Sequence, residues 1–557
     1  MWKRQWIRWV AVPICIGLVG LIAALWIRWW GEPIEPPIAA PSPRYGGVYR
    51  HALDREPGTL DPALVTSTYG ALVVQQIFDG LVQFDAELNV VSSIARTWDA
   101  SADGLLWTFY LREDVTFHNG RKVVADDFVY SFTRIMDPKI GSAVQSIFAR
   151  VKGANAFLTG QAKEIEGFKA LDDHTLQIVL SQPYAPLIRL LGTPGLKVVP
   201  KEEVEREGTP FARSPVGTGA FRFVAWKPGG EITLEANEVY FETRPYLDQI
   251  VFRIFPGADL ETIFAEFESQ QLEATKVPVD QRDQLLKDPR YKHISLPIFQ
   301  TLFLWMDYRQ GPLSDRRVRR AINLAIDRAY CVNILRKGRF DEAHSMIPPG
   351  MFAYNPDLPK NTYDVAKARE LLVEAGYPAG QGLPTLELWR SGVSPASAKD
   401  HLAIKNFLAA IGIDVALRTA PTWEAYSNEV LGKRPGSLFR YDWYPSIPDP
   451  DEVLYALFHS QSKFNRGGYY NQKVDRLLEQ ARDEVADAKR VGLYQEAEKL
   501  IMEDVPTINL VHYKYERLFH PYIEGLSVNS LGEHYIPMKT IWINADPYGF
   551  PKMAKTE

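Results

Sequence analysis

The segment Arg440–Glu452 restricts the fold of this chain more than any other stretch of the sequence. Its thirteen residues include three aromatics, three prolines and four acids. Asp449 followed by Pro450 is typical of a helix N-cap and first helical position, and Asp451 and Glu452 would complement the helix dipole. The apolar face of the helix that follows would consist of Val453, Leu454, Leu457 and Phe458. We expect the start of the segment to be too polar for a core strand, so the segment predicts a rigid loop that leads into a helix.

The composition of the 557-residue chain is that of an ordinary globular protein, with 46% hydrophobic residues. This is enough for about two or three hydrophobic cores. The formal net charge of -5 gives no reason to expect a nucleic-acid partner. Two cysteines, Cys15 and Cys331, are too few for a disulfide framework. Strand patterns such as Leu106–Leu111 and Thr175–Leu180 alternate with amphipathic helical patterns, which predicts the α/β class.

The N-terminus carries a nineteen-residue run without charge, Trp9–Ile27. A helix of that length, at ~1.5 Å per residue, would span roughly the ~30 Å hydrocarbon layer. We predict a cytoplasmic basic tip (residues 1–8) and a transmembrane anchor (9–30), with a removed signal segment as the alternative. Five prolines within residues 31–43 predict an extended stalk. The body would then lie at the outer face of the cytoplasmic membrane.

The sequence shows no pattern that indicates an enzyme. It contains no Gly-x-Ser-x-Gly, no His-Glu-x-x-His and no Walker-type glycine loop. Its ten histidines form neither a His-x-x-x-His pair nor a cluster with cysteine. The paired acids Asp126-Asp127 and Asp172-Asp173 are interpreted as a helix cap and a turn. We therefore expect no catalytic residues, no metal and no cofactor.

A series of motifs along the body resembles the extracytoplasmic solute-binding proteins of peptide ABC importers, the oligopeptide- and dipeptide-binding proteins of family 5. The motifs occur in the order Thr59–Pro62, Ile77–Leu81, Trp107–Arg112, Phe117–Gly120, Asp126–Ser131, Leu171–Leu176, Pro215–Phe221, Leu313–Ala321 and Ala325–Arg328. The segment Arg440–Glu452 is similar to the ligand loop of that family. The resemblance covers the chain from about Gly46 onward.

The resemblance implies a two-lobed periplasmic-binding-protein fold of the large three-domain type. Lobe I would be built from residues 44–88, 205–300 and 520–557. A second domain, residues 89–204, would be inserted into it. Lobe II, residues 301–519, would be joined to lobe I by two crossing hinge strands. Such lobes close around their ligand and bury it.

The resemblance also implies ligand-binding positions. These are Thr66, Ser67, Thr68, Lys399, Trp423, Arg440, Asp442, Trp443, Tyr444 and Ser446. Residues 66–68 would pair with a peptide backbone, or they form only a loop that leads into a helix. Residues 442–444 would form the opposite wall of the site.

Two basic positions match family residues that meet a ligand carboxylate. Arg440 has the planar guanidinium that suits a carboxylate, but it could instead pair with Asp442. Lys399 falls only near such a position, and a solvated lysine is the favoured interpretation. Trp423 matches an aromatic residue of the ligand pocket, and a core tryptophan is the alternative.

Ser446 departs from the family pattern. The fourth residue of the loop, counted from Trp443, is usually an aspartate that holds the amino terminus of a peptide. A buried ammonium group without its carboxylate is expected to lose about 3–5 kcal/mol. Either Asp442 or another acid takes over this role, or the ligand has no free amine at this place.

The sequence thus predicts a membrane-anchored receptor that encloses a peptide or peptide-like ligand and presents it to the permease subunits of an ABC importer. Two alternatives stay open. The ligand could be a non-peptide or amine-lacking solute, or the chain could be an anchored sensor without transport.

Overall fold

One large sheet runs through the body of the protein. The computed structural model describes residues 42–206, 210–392 and 395–544, without the side chains of residues 395 and 396. Within these residues the sheet has eleven strands. Across the sheet they follow in the order Val415–Ala420, Leu386–Ser391, Leu438–Trp443, Lys292–Met306, Thr507–Phe519, Ala274–Lys276, Val48–Leu53, Gln249–Ile254, Glu231–Ala236 and Phe221–Lys227, with Asp341–Glu342 paired to Thr507–Phe519.

Two long antiparallel strands, Lys292–Met306 and Thr507–Phe519, connect the two halves of this sheet. Their register shifts between Pro297 and Thr301. At one end Thr507–Phe519 pairs with Ala274–Lys276, and at the other Lys292–Met306 pairs with Leu438–Trp443. The architecture is therefore a mixed α/β fold with two lobes. Here lobe I is the half around Val48–Leu53 and lobe II the half around Leu438–Trp443, while the lobe boundaries in the sequence stay predictions.

Each lobe has its own hydrophobic cluster. In lobe I, Leu53 and Phe252 pack in a core that also includes the helix residue Ile77. In lobe II, the helix Arg316–Ala325 packs on Val365–Glu374. The first of these two helices begins where Asp315 accepts a hydrogen bond from the backbone N–H of Arg317 at 2.8 Å, as expected for an N-cap.

A separate antiparallel sheet lies within residues 95–199, which we call the four-stranded region. Its strands, in spatial order, are Ala95–Ala100, Leu106–Leu111, Thr175–Val179 and Phe168–Asp172. The helix Ala125–Met136 packs on it. Asp126 and Asp127 lie in the first turn of this helix, and the N-cap position is Val124. The capping interpretation is confirmed for Asp127, whose carboxylate accepts the backbone N–H of Val124 at 2.9 Å.

The remaining helices pack on the sheets or on one another. Those of nine or more residues are Thr68–Ile77, Leu260–Glu268, Pro395–Ala409, Gln472–Asp483 and Asp487–Asp504. Shorter α-helices are Ala154–Leu158, Leu187–Leu190, Lys201–Val204, Arg282–Leu285, Trp423–Ala425 and Leu454–Phe458.

Among the described residues no helix is long and apolar enough to span a bilayer. The basic tip (1–8) and the anchor (9–30) lie outside the described residues, as does the stalk (31–43) up to residue 41.

Candidate functional site

The prediction that the start of the segment Arg440–Glu452 is too polar for a core strand is wrong. Leu438–Trp443 is a strand in the middle of the lobe II sheet. Because side chains alternate along a strand, Phe439 and Tyr441 share one face and are buried. The other face carries Arg440 and Asp442, whose charges neutralise each other at 2.8 Å. This pairing makes a polar sequence compatible with an internal strand.

The predicted cap at Asp449 is confirmed, but it starts a 3-10 turn, and the α-helix begins only at Leu454. Asp449 accepts a hydrogen bond from the backbone N–H of Asp451 at 3.0 Å, and Pro450 opens a short 3-10 turn, Pro450–Glu452. The helix Leu454–Phe458 follows directly. The segment is thus a strand, a proline-rich corner (residues 444–449) and a helical end that starts with the 3-10 turn.

A cavity of about 760 Å³ adjoins this corner. Its volume lies within the range of small-molecule sites in proteins. Lobe I and the four-stranded region supply part of its wall, including Thr66, Ser67, Thr68, Ser146, Tyr184 and Thr193. The corner and lobe II supply another part, including Trp443, Tyr444, Ser446, Tyr455, Lys463 and Arg482. A molecule in this cavity would contact both lobes.

Six of the ten predicted site residues line the cavity, namely Thr66, Ser67, Thr68, Trp443, Tyr444 and Ser446. The Ser67 hydroxyl caps the helix Thr68–Ile77 by accepting the backbone N–H of Gly70 at 3.1 Å. The Tyr444 hydroxyl donates to the backbone carbonyl of Leu531. The side chains on the two sides of the cavity are therefore held in place by local hydrogen bonds.

Four predicted residues, Lys399, Trp423, Arg440 and Asp442, are not part of the described lining. Arg440 makes the alternative contact with Asp442, and its Nε also lies 3.4 Å from Asp400. Asp442 additionally accepts the hydroxyl of Tyr513 at 2.6 Å. Lys399 is exposed on the helix Pro395–Ala409. Any ligand contact of these residues stays a prediction.

Trp423 is not a core tryptophan, since 56% of its surface is exposed. Its ring stacks on Tyr441 with a centroid separation of 6.0 Å, and Tyr441 stacks on Trp443 at 6.2 Å. An aromatic row therefore leads from the surface to the wall of the cavity.

Glu452 is a cavity residue that the sequence analysis assigned only to the helix dipole. Its carboxylate turns back onto the corner and accepts the backbone N–H of Ser446 at 2.5 Å and the Ser446 hydroxyl at 2.8 and 2.9 Å. The backbone N–H of Ile447 donates to it at 3.2 Å. Burial raises the pKa of Glu452 to about 7, although the hydrogen bonds from Ser446 favour the charged form.

The neighbouring acid, Asp451, is paired with Arg482, whose guanidinium donates to it at 2.8 and 3.1 Å. Burial raises the pKa of Asp451, and Arg482 opposes this shift. Arg482 also lies 3.4 Å over the ring of Tyr455. No local pattern in the sequence connects residue 482 with the segment, so only the packing of the helix Gln472–Asp483 could reveal this pair.

Two further titratable side chains line the cavity. Lys463 is exposed, with its ammonium 5.1 Å from the ring of Phe464. His534 is buried, and its burial lowers the pKa to about 4, so the imidazole is neutral at physiological pH. In the part of the chain that the structure describes, no three His, Cys, Asp or Glu side chains come together as metal ligands. The arrangement suits binding of a polar organic molecule.

Two lobes joined by a pair of long strands, with a cavity lined from both sides, define a two-lobed solute-binding protein. The chain belongs to the bacterial extracellular solute-binding proteins of family 5, whose model matches residues 89–465.

Relatives over most of the chain differ in the solutes that they are named for. The chain is 29% identical to "Probable di/tripeptide-binding protein 5" of Pseudomonas aeruginosa, over 82% of this chain and 88% of that protein. It is 28% identical to "Probable deoxycholate-binding periplasmic protein YgiS" of Escherichia coli, over 95% and 98% of the two chains. Among solved structures it is similar to the periplasmic binding protein DppA from Helicobacter pylori in complex with the peptide STSA, with a TM-score of 0.75, 27% identity and coverage of 90% and 99%.

Proposed function

We propose that this chain is an extracytoplasmic receptor that encloses a small peptide or peptide-like solute between its lobes and delivers it to the permease subunits of an ABC importer. The observation that carries the proposal is the cavity of about 760 Å³ lined by both lobes. The peptide-bound DppA structure and the di/tripeptide-binding relative support the choice of ligand class.

The ligand would lie between two walls. Thr66 and Thr68 on one side, and Trp443 and Tyr444 on the other, would contact the peptide backbone and side chains. Hydroxyl groups and aromatic faces suit a ligand with varied side chains, because neither demands one particular partner. Closure about the strands Lys292–Met306 and Thr507–Phe519 would exclude water from this contact.

The proposed receptor is anchored to the membrane by its N-terminal segment. Residues 9–30 would hold the chain at the outer face of the cytoplasmic membrane, and residues 31–43 would act as the spacer between the bilayer and the lobes. Lobe I (44–88, 205–300 and 520–557), the inserted domain (89–204) and lobe II (301–519) would move as the units of closure.

Mass spectrometry of small molecules released from the purified full-length chain by gentle denaturation tests the proposal. We expect a set of short peptides, and we expect the same peptides to raise the melting temperature of the emptied protein. An empty protein whose melting temperature does not respond to peptides would contradict the proposal.

A non-peptide solute is the second candidate. It is favoured by Ser446, which stands where the family usually has aspartate, and by the deoxycholate-binding relative. The same experiment separates the two candidates, because a non-peptide molecule would then be released. A sensor without transport would bind its ligand equally well, but deletion of the permease genes would leave its cellular response unchanged.

A further inference from the structure

The four acids of the segment Arg440–Glu452 differ in how their charge is balanced. Three are paired with an arginine at 2.8 Å: Asp442 with Arg440, Asp449 with Arg490, and Asp451 with Arg482. Glu452 is different, because among the described residues no lysine, arginine or histidine lies within ion-pair distance of its carboxylate. All its partners are neutral donors from Ser446 and Ile447.

Glu452 also faces the cavity. A partly buried carboxylate that lacks a cation is unfavourable unless something neutralises it, and burial accordingly raises its pKa to about 7. The hydrogen bonds from Ser446 act in the opposite direction, since they stabilise the charged form and fix its orientation. The corner therefore holds a carboxylate ready for a cation that the described part of the protein does not supply.

The other charged groups of the cavity wall do not fill this role. Arg482 is engaged by Asp451, and His534 is neutral because burial lowers its pKa to about 4. Lys463 has no acid within ion-pair distance among the described residues, so it is a cation without an anion. The wall thus presents one unbalanced negative group and one unbalanced positive group to the same space.

We propose that the Glu452 carboxylate binds the ammonium group of the ligand, that Ser446 is the residue that positions it, and that Lys463 meets the ligand's negative end. The preferred ligand is then a zwitterion with a primary amine. This inference rests on the proposed receptor function and deepens it, since it names the acid that replaces an aspartate at position 446. Asp442 is the weaker candidate, because it is already held by Arg440 and Tyr513 and is not part of the described cavity wall.

Matched pairs of probes test the proposal on the purified full-length chain in mild detergent, after removal of its co-purified ligand. The probes are Ala-Ala and Ala-Ala-Ala, each compared with its N-acetylated form by isothermal titration calorimetry. We expect the free-amine peptides to bind at least about 30-fold more tightly than the acetylated forms, as loss of one partner of a desolvated charge pair requires. Glu452→Gln should remove this preference, and Glu452→Asp should retain part of it.

The control variant is Glu370→Gln. Glu370 is an exposed acid on the helix Val365–Glu374, outside the cavity wall, and its partner is Lys367. The Glu370→Gln variant should bind free-amine peptides with the same preference over acetylated peptides as wild type. Unchanged affinity of Glu452→Gln for the acetylated peptides shows that its loss of preference is not a folding defect, and the partial preference of Glu452→Asp assigns the effect to the charge.

The role of Ser446 in positioning the Glu452 carboxylate is tested by a separate measurement, the pH dependence of the amine preference. Ser446→Ala removes hydrogen bonds that favour ionised Glu452, so the pH below which the amine preference is lost should move upward. A purely structural role of Ser446 would lower all affinities equally and leave this pH unchanged.

The outcomes separate this inference from the proposed function. A wild-type preference for free amines that survives in Glu452→Gln overturns the role of Glu452 and leaves the peptide receptor intact. Equal binding of acetylated and free-amine peptides by the wild-type protein would also overturn the role of Glu452 and leave the peptide receptor intact. If no peptide binds, the peptide function fails, and the molecule released from the native chain decides the inference. A ligand without a basic nitrogen overturns it, whereas an amine that co-purifies with wild type but not with Glu452→Gln supports it.

Discussion

Glu452 illustrates how the surroundings of a single residue give it a function that its sequence position does not suggest. In the sequence it is one of two acids at a helix start, where a carboxylate complements the dipole. In the fold it is bound by Ser446 and lies beside a cavity. Its neighbour Asp451 has the same local setting but is neutralised by Arg482. The two acids differ because Asp451 meets Arg482 on a helix about thirty residues further along the chain, whereas Glu452, among the described residues, meets only neutral donors from Ser446 and Ile447.

The pH dependence of stability follows from the raised pKa of Glu452. The pKa is about 7 in the folded protein and about 4.3 in an unfolded chain, so folded Glu452 holds its proton while the unfolded residue has lost it. Stability is therefore lost as the pH rises from about 4.3 to about 7. We expect the ligand-free protein to lose roughly 2–3 kcal/mol more between pH 5 and pH 8 than Glu452→Gln does, measured by urea unfolding. Parallel pH profiles of the two proteins would contradict the assigned environment.

The pair Asp449–Arg490 is fully buried and joined at 2.8 and 2.9 Å. Asp449→Asn leaves the buried Arg490 with only the half-exposed Asp487 as an acid partner among the described residues, at 3.1 Å. We expect this to cost about 3 kcal/mol in urea unfolding, the lower end of the range for a broken buried pair. Lys367→Ala is the matched control, because Lys367 and Glu370 form an exposed pair worth less than about 1 kcal/mol. Similar losses in both variants would show that Asp449 is not buried as described.

At the scale of elements, the local sequence predicted where a helical turn starts better than it predicted whether a strand is buried. Asp449 caps a helical turn as predicted, since capping depends on neighbouring residues alone, although the turn is 3-10 and the α-helix begins at Leu454. The strand Leu438–Trp443 was missed because its polarity is balanced within the strand, between Arg440 and Asp442. A search for alternating hydrophobic residues counts Arg440 and Asp442 as two polar residues, and it cannot tell that they neutralise each other inside a strand.

The turn Gly532–Tyr535 holds the cavity wall by its contact with Tyr444. A Cβ on Gly532 would lie 2.3 Å from the Tyr444 hydroxyl, and the residue has a φ of +64°. Gly532→Ala should therefore move Tyr444, lower stability by about 1–3 kcal/mol and weaken binding of the co-purified ligand at least about fivefold.

Gly338→Ala is the control for backbone strain without a steric clash. Gly338 has a φ of +70°, and nothing lies within 4 Å of the position that its Cβ would take. Gly338→Ala should lower thermal stability modestly and leave ligand affinity, measured by calorimetry, unchanged. Unchanged affinity in Gly532→Ala as well would exclude Tyr444 from the binding site.

At the scale of the whole molecule, ion pairs join the four-stranded region to lobe II. Arg150 pairs with Asp483 at 2.6 Å, and Arg189 pairs with Asp487 at 2.6 Å. The backbone N–H of Ala185 also donates to the carbonyl of Arg482 at 2.8 Å. These contacts lie beside the cavity, and they would have to separate if the two parts moved apart.

The double substitution Arg150→Ala with Arg189→Ala should favour an open form of the ligand-free protein. The partly exposed pairs with Asp483 and Asp487 contribute about 0.2–1 kcal/mol each, and Arg189 also lies 3.4 Å from the buried Asp449. The ratio of closed to open molecules should therefore fall at least about 2-fold. Small-angle X-ray scattering should then report a larger radius of gyration, which ligand reverses. Lys227→Ala, which breaks the pair with Glu231 inside lobe I, should leave the radius unchanged. An unchanged radius in the double variant would mean that these pairs do not hold the protein closed.

The sequence by itself determined the α/β class, the start of the helix after Asp449 and the family, because periodicity, capping and ordered motifs are written in neighbouring residues. It also located six residues of the cavity wall. The tertiary structure decided the environment of each charge: that Arg440 is paired with Asp442, and that Glu452 remains without a cation among the described residues. Such balances depend on side chains brought together from distant parts of the chain, and burial changes their energies far more than local sequence can indicate.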